Sequence, residues 1–206
     1  MAPPTRQRMI EIAYDLFGRE GFHAVGLDRI LAEVGVTKTT FYNHFESKDD
    51  LVLAVLEHRH EVELGQLKQR LREMGGMAAR GQLEVIFDAL NEWFDEPDFR
   101  GCIFITAAAE FPAAHDPAHR VAAAHLEETR ELLEELATNG GATAPGELAR
   151  QLLLLVEGAI VIRHVTGDPH AATRAGASAA ALLQRYLPPV RNLPRLDDTQ
   201  HRAAET

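Results

Sequence analysis

Cysteine is almost missing from this chain of 206 residues: the single one, Cys102, excludes an internal disulfide and points to a reducing, cytoplasmic setting. Long hydrophobic runs are missing too. The longest, residues 152–162 (LLLLVEGAIVI), is about half of the roughly 20 residues a bilayer needs and is interrupted by Glu157, so no membrane contact is expected. The opening MAPPTRQRMIEIAYDLF has no apolar core followed by a cleavage site, and no signal peptide is expected. Positive charge is scarce: 31 acidic residues against 21 basic ones give a net charge of −10, the wrong sign for a generic nucleic-acid binder. There is no alternating strand pattern, no internal repeat, no G-x-x-x-x-G-K phosphate loop and no repeated Glu-x-x-His helix motif. No catalytic residues, cofactor or bound metal are therefore expected.

What the chain has is helix after helix, and the fold class is all-α. Residues 21–51, GFHAVGLDRILAEVGVTKTTFYNHFESKDDL, read as two short helices across a tight turn followed by a capped third. Leu27, Ile30, Leu31 and Val34 fall at spacings of three and four, which puts one apolar stripe on one face. Gly35 breaks that helix, Val36 can plug the space between the pair, and Thr37 is a good N-cap for the second. Phe41 and Phe45, four apart, anchor that second helix to the core. Its other face carries Lys38, Thr39, Thr40, Tyr42, Asn43 and His44, the side-chain types that bond phosphate oxygens and base edges in a major groove. Ser47 with Asp50 three residues on reads as a capping box opening a third helix, whose N-terminal N–H groups, with Lys48 beside them, can hold a phosphate.

With Ala13 and Phe17 in a first helix and Gly21-Phe22 after it, this order of residues over 6–56 resembles the DNA-binding domain of the tetracycline-repressor (TetR) family of transcriptional regulators. The resemblance covers about a quarter of the chain. It implies a three-helix helix-turn-helix domain at 1–50, a recognition helix over 37–44, and backbone clamping by Tyr42, His44 and Lys48. The sequence departs at Val25-Gly26, where the family commonly has threonine or serine. Residues 1–50 hold six basic and eight acidic side chains, so phosphate contact falls to a few placed donors and binding depends on dimerisation.

Residues 51–187 read as a larger helical effector-binding and dimerisation domain, and 188–206 as a frayed tail. A long helix is expected over 47–74, ending at Gly75-Gly76. A second, striped by Leu83, Ile86, Phe87, Leu90, Trp93 and Phe94, stops at the acidic, proline-containing segment 95–98. Helices over 101–111, 118–138, 147–165 and 169–187 complete the bundle. The last two carry Leu152, Leu155, Val156, Ala159 and Ile160 on one and Ala175, Gly176, Ala179, Ala180 and Leu183 on the other, similar to the paired helices that form the family's homodimer interface. Two reading heads must sit about 34–36 Å apart, or a multiple of it, on a palindromic operator in double-stranded DNA.

The expected effector site is apolar with sparse polar groups: Trp93, Phe94, Phe104 and Phe111 as walls, with Glu110, His125, Glu157 and His164 as polar candidates beside Thr106 and Arg163. Glu157 stands out inside an apolar run, and an ion pair with Arg150 is its ordinary alternative. Two other sensing chemistries are weighed: metal through His115, His119, His125, Glu110 and His164, and redox through Cys102. A helical-bundle enzyme carrying a DNA-binding head is the alternative from a different class.

Overall fold

A computed structural model describes residues 4–189, and every regular element among them is a helix. In order these are α1 Thr5–Glu20, α2 Leu27–Val34, α3 Lys38–Tyr42, α4 Lys48–Gly75, α5 Ala79–Glu84, α6 Ile86–Phe94, α7 Ile103–Glu110, α8 Pro117–Asn139, α9 Pro145–Thr166 and α10 Ala171–Tyr186. The tail expected from 188 lies outside the described residues beyond 189.

The local signals act as the sequence predicts. Ile30, Leu31 and Val34 are buried along one face of α2, and Gly35, at φ +75°, ends it by turning left-handed while its N–H reaches the Leu31 carbonyl at 2.9 Å. Thr37 Oγ accepts the Thr40 N–H at 3.1 Å and Ser47 Oγ accepts the Asp50 N–H at 3.1 Å, so both N-caps form. The capping box at α4 closes one residue early: the Asp50 carboxylate takes the N–H of Glu46 at 3.0 Å rather than that of Ser47.

The helix expected across 83–94 is instead two. The chain breaks at Val85 (φ −99°, ψ 2°), between α5 and α6. α5 is pinned to the end of α4, where the Gly75 and Gly81 backbones pass so close that neither has room for a Cβ, and Gln82 donates to the Gly76 carbonyl at 2.9 Å. α6 must turn away to bury Ile86, Phe87, Leu90 and Phe94 in the body.

Buried apolar side chains gather in two clusters. One joins α1 to α3 and the start of α4 with Ile103, Phe104 and Ala107 of α7 and Ala118 and Ala122 of α8. The other joins the end of α4 with α5, α6 and α8 to α10. Cys102 packs against both. The stripe expected at the dimer interface is divided: Leu152, Ala159 and Ile160 of α9 and Ala179 and Leu183 of α10 are buried within the second cluster and a Cβ on Gly176 would press on Phe87 at 3.0 Å, whereas Leu155, Val156 and Ala175 are half-buried and Ala180 is exposed. The outward apolar row of α9 is offset from it and runs through Leu154, Val161, Ile162 and Val165, with Leu154 74 % and Val165 72 % exposed. Alternation around a helix that is apolar nearly all round gives no way to tell its two faces apart.

Candidate nucleic-acid interface and sensor core

The head is assembled so that α3 projects. Phe41 and Phe45 are buried, with rings 5.6 Å apart, and the Arg6 guanidinium lies over Phe45 at 5.0 Å. Arg8 of α1 donates to the Val34 carbonyl at 2.9 Å, tying the end of α2 to the first helix. With those anchors fixed, Thr37, Lys38, Thr39, Tyr42, Asn43 and His44 are exposed, and Thr40 is half-buried beside the cap. Tyr42 is 56 % exposed with its ring edge-on to Phe41, which leaves the hydroxyl outward. The Lys38 ammonium pairs with Asp28 at 3.0 Å, and that hydrogen bond raises its pKa. Lys48 is half-buried, with Nζ donating to the Phe22 carbonyl at 2.6 Å, a bond that uses one of the ammonium's three donors.

The structure separates the eight residues expected at the effector site. Trp93 and Phe94 pack with Phe99 in one aromatic group, at ring separations of 5.0 Å and 4.9 Å from Phe99. Phe104 and His125 form a second, stacked at 3.7 Å, and His125 Nδ1 meets His60 Nδ1 at 3.2 Å. His60 Nε2 in turn stands 3.2 Å from Glu128. Burial, reinforced by His60, lowers the His125 pKa to about 4. Glu110 and Phe111 face the head, where the Glu110 carboxylate holds the backbone at Phe22 and His23 and the Phe111 ring lies against Phe22 and His23. His164 is exposed, its ring against Gly101.

Glu157 remains inside, and Arg150 does not reach it, pairing instead with Glu147. Glu157 Oε2 is buried without a hydrogen-bond partner, and desolvation, with Glu63 adding repulsion, raises its pKa to about 7. Glu63 is held by Arg59 at 2.8 Å, and Arg59 lies over the Tyr14 ring at 4.1 Å. Burial, with Glu157 second, pushes the Cys102 thiol up to about 12, which removes the thiolate character a redox sensor needs. The histidines weighed as metal ligands are dispersed: His115 is exposed, His119 donates through Nδ1 to the Phe111 carbonyl at 2.9 Å, and His125 stacks in the interior.

His60, Arg59 and Glu63 are the interior polar residues that sequence reasoning missed. They sit on α4 among Leu56, Leu64 and Leu67, and the four-residue steps 56–60–64 were the available signal. Of the two depressions described, one of about 300 Å³ lies between α9 and α10 around Leu154, Gly158, Ile162 and Arg174, and one of about 240 Å³ lies beside Lys68, Gln82 and Leu136. Neither is lined by the expected effector residues.

Comparison with known proteins accounts for this arrangement of head and body. Residues 9–55 match the family described as bacterial regulatory proteins, tetR family, and residues 79–179 match the tetracyclin repressor-like C-terminal domain. The chain is 30 % identical over 95 residues to the HTH-type transcriptional regulator YerO of Bacillus subtilis, covering 46 % of this chain and 33 % of that protein. The chain thus spans about a third of the length of the curated relatives it matches. Over nearly its full length it resembles the crystal structure of a TetR-family transcriptional regulator from Streptomyces coelicolor, with 32 % identity, a TM-score of 0.81 and coverage of 88 % of this chain and 95 % of that one. The reduced form of Escherichia coli NemR shares the fold at 20 % identity, with a TM-score of 0.78 and coverage of 90 % and 98 %. With both family domains matched in order and a full-length structural relative above 30 % identity, the chain belongs to the TetR family of helix-turn-helix transcriptional regulators.

Proposed function

We propose that this protein is a homodimeric, cytoplasmic repressor that binds a palindromic operator and is released by a small-molecule effector. The observation that carries the reading is the face of α3, where Lys38, Thr39, Tyr42, Asn43 and His44 are exposed together while Phe41 and Phe45 are buried behind them. Lys38, Thr39, Thr40 and Asn43 face the base edges; Thr37, Tyr42, His44 and Lys48 hold the phosphates. The head spans 1–50 and the effector and dimer body 51–187. The exposed row Leu154, Val161, Ile162 and Val165 of α9, beside the small residues Ala177, Ala180 and Ala181 on the outer side of α10, supports pairing of two copies through these helices.

The unpartnered Glu157 oxygen supports an effector that brings a hydrogen-bond donor into the body. Its binding shifts α4, a rigid connector about 42 Å long, and so changes the separation of the recognition helices. A coupling of about 1–3 kcal/mol weakens DNA binding about 5- to 150-fold.

The test is titration of purified protein onto DNA from upstream of its own gene, beside a scrambled fragment, at two salt concentrations. Preference for the natural fragment that survives higher salt supports the reading. Lys38→Ala and Asn43→Ala should then weaken the natural fragment more than the scrambled one. Equal, weak binding to fragments drawn from across the neighbouring genes would sink it.

A further inference from the structure

The turn between α1 and α2 is fastened from two sides, by Glu110 of α7 and by Lys48 of α4. The carboxylate of Glu110, the last residue of α7, accepts the Phe22 N–H at Oε1 (2.9 Å) and the His23 N–H at Oε2 (2.7 Å). His23 closes the loop by donating from Nε2 to the Glu110 carbonyl at 2.9 Å. On the other side Lys48, the first residue of α4, donates to the Phe22 carbonyl at 2.6 Å. The peptide group before Phe22 is thus held by α7, and the one after it by both α7 and α4.

Packing and backbone agree with the polar contacts. The buried Phe22 ring lies 5.0 Å from Phe17 and 5.7 Å from Phe111, and the His23 ring lies 4.8 Å from Phe111. Gly21 makes the approach possible: it sits at φ +85°, and a Cβ there would stand 2.7 Å from Glu110 Oε1. A carboxylate that takes two adjacent backbone N–H groups forms charge-assisted bonds in a fixed fork, which restrains direction as well as distance.

We infer that Glu110 is a positioning residue for DNA binding: its two-oxygen clamp on the Phe22 and His23 amides sets the angle of the head on the body. The inference rests on the proposed dimeric, operator-binding function. A head that pivots about the start of α4 must stretch this clamp, so α7 acts with α4 in fixing the separation of the two recognition helices. A displacement of α7 within the body is delivered to the turn before α2 directly, without passing along α4. Cutting the clamp leaves the reading residues untouched but lets the head swing.

The experiment compares the full chain with Glu110→Gln and Glu110→Ala on an operator selected from random DNA by the wild-type protein. The same palindrome is also prepared with its centre lengthened or shortened by one and two base pairs. Wild type should prefer one spacing sharply. Glu110→Ala should lose on the order of tenfold at that spacing and show a flattened spacing profile, with affinity for random DNA unchanged. Glu110→Gln, which keeps one acceptor, should fall between. Amide exchange at Phe22 and His23 should accelerate in both variants while Phe41 and Phe45 stay protected, which shows that the head remains folded.

A variant that binds as tightly and with the same spacing preference as wild type overturns the inference. So does a parallel loss on all DNA, spacing preference intact, which marks a residue that only stabilises the fold. Absence of any preferred sequence for the wild-type protein overturns the proposed function itself, and is distinguishable because it appears before any variant is compared.

Discussion

Head and body each bury a core of aliphatic and aromatic side chains, yet they turn their polar chemistry in opposite directions. In the head, the core residues Phe17, Phe22, Phe41 and Phe45 form a dry support, and Lys38, Thr39, Tyr42, Asn43 and His44 stand outside it. In the body, His60, Glu63, His125 and Glu157 are drawn inward among the helices, while an apolar row on α9 faces out. A surface that must meet DNA, a polyanion already surrounded by water, can carry its donors in solvent. Inside the body the same polar groups lie in a poorly hydrated place, where each hydrogen bond counts for more and each unmade one costs more.

The contrast would break most visibly if the head core were dispensable. Phe41 is fully buried and anchors α3 from within. Phe41→Ala should destabilise the protein by about 3–5 kcal/mol in urea unfolding and abolish specific DNA binding. Because Ile103, Phe104 and Ala107 of α7 share the head cluster, the loss should also shift the transition of the body rather than leave it untouched. Two independent unfolding steps, with only the first displaced, would show that the clusters are energetically separate.

The inward polarity of the body makes stability depend on pH through two groups of opposite sign. Glu157 has a folded pKa of about 7, above its ordinary value, so between about pH 4.5 and 7 the unfolded chain loses this proton first and rising pH costs stability. His125 has a folded pKa of about 4, below its ordinary value, so between about pH 6.5 and 4 the unfolded chain gains a proton first and falling pH costs stability. The two slopes oppose each other over most of that range. Glu157→Gln should therefore stabilise by about 2 kcal/mol at pH 8, discounted for its partial exposure, and by nothing at pH 4. His125→Phe keeps the stack on Phe104 but loses the titration, so its stability should fall as pH rises from 4.5 to 7. Melting temperatures across pH 4 to 8 decide both; parallel curves for wild type and Glu157→Gln would mean that the carboxylate is solvated.

Tyr42→Phe probes the outward chemistry of the head and should be milder. A phosphate-holding hydroxyl makes the substitution weaken operator and random DNA alike, by about threefold, roughly one modest hydrogen bond. Unchanged affinity would assign Tyr42 to packing against Phe41 alone.

The same contrast explains what could be read in the sequence. Caps, the left-handed Gly35 and the four-residue step from Phe41 to Phe45 are local, and together they define the head over fewer than 50 consecutive residues. The body is defined by contacts between residues far apart in the chain. His60 meets His125 across 65 positions and Glu110 meets Phe22 across 88, and nothing in the neighbourhood of either residue records its partner. In the sequence Glu110 and Phe111 fit a pocket wall with Trp93, being a polar residue and an aromatic at the end of a short apolar helix. The end of α7 in fact abuts the head. The sequence of α9 is ambiguous for a related reason: with leucine at 152, 153, 154 and 155, periodicity carries no direction.

The smallest expected effect isolates an acidic contact on the recognition helix. Lys38 and Asp28 pair at 3.0 Å with both side chains largely in solvent, 63 % and 81 % exposed, an arrangement that contributes little to folding. Its consequence lies in binding, because DNA must compete with Asp28 for the ammonium, and a carboxylate beside a reading head repels phosphate. Asp28→Asn removes both effects, so operator affinity should rise by about two- to fivefold with no measurable change in melting temperature. The salt dependence then assigns the lysine. If the freed ammonium neutralises a phosphate, random DNA gains as much as operator and the slope of log affinity against log salt steepens by about 0.9. If it reads a base edge, operator gains more than random DNA and the slope stays nearly constant.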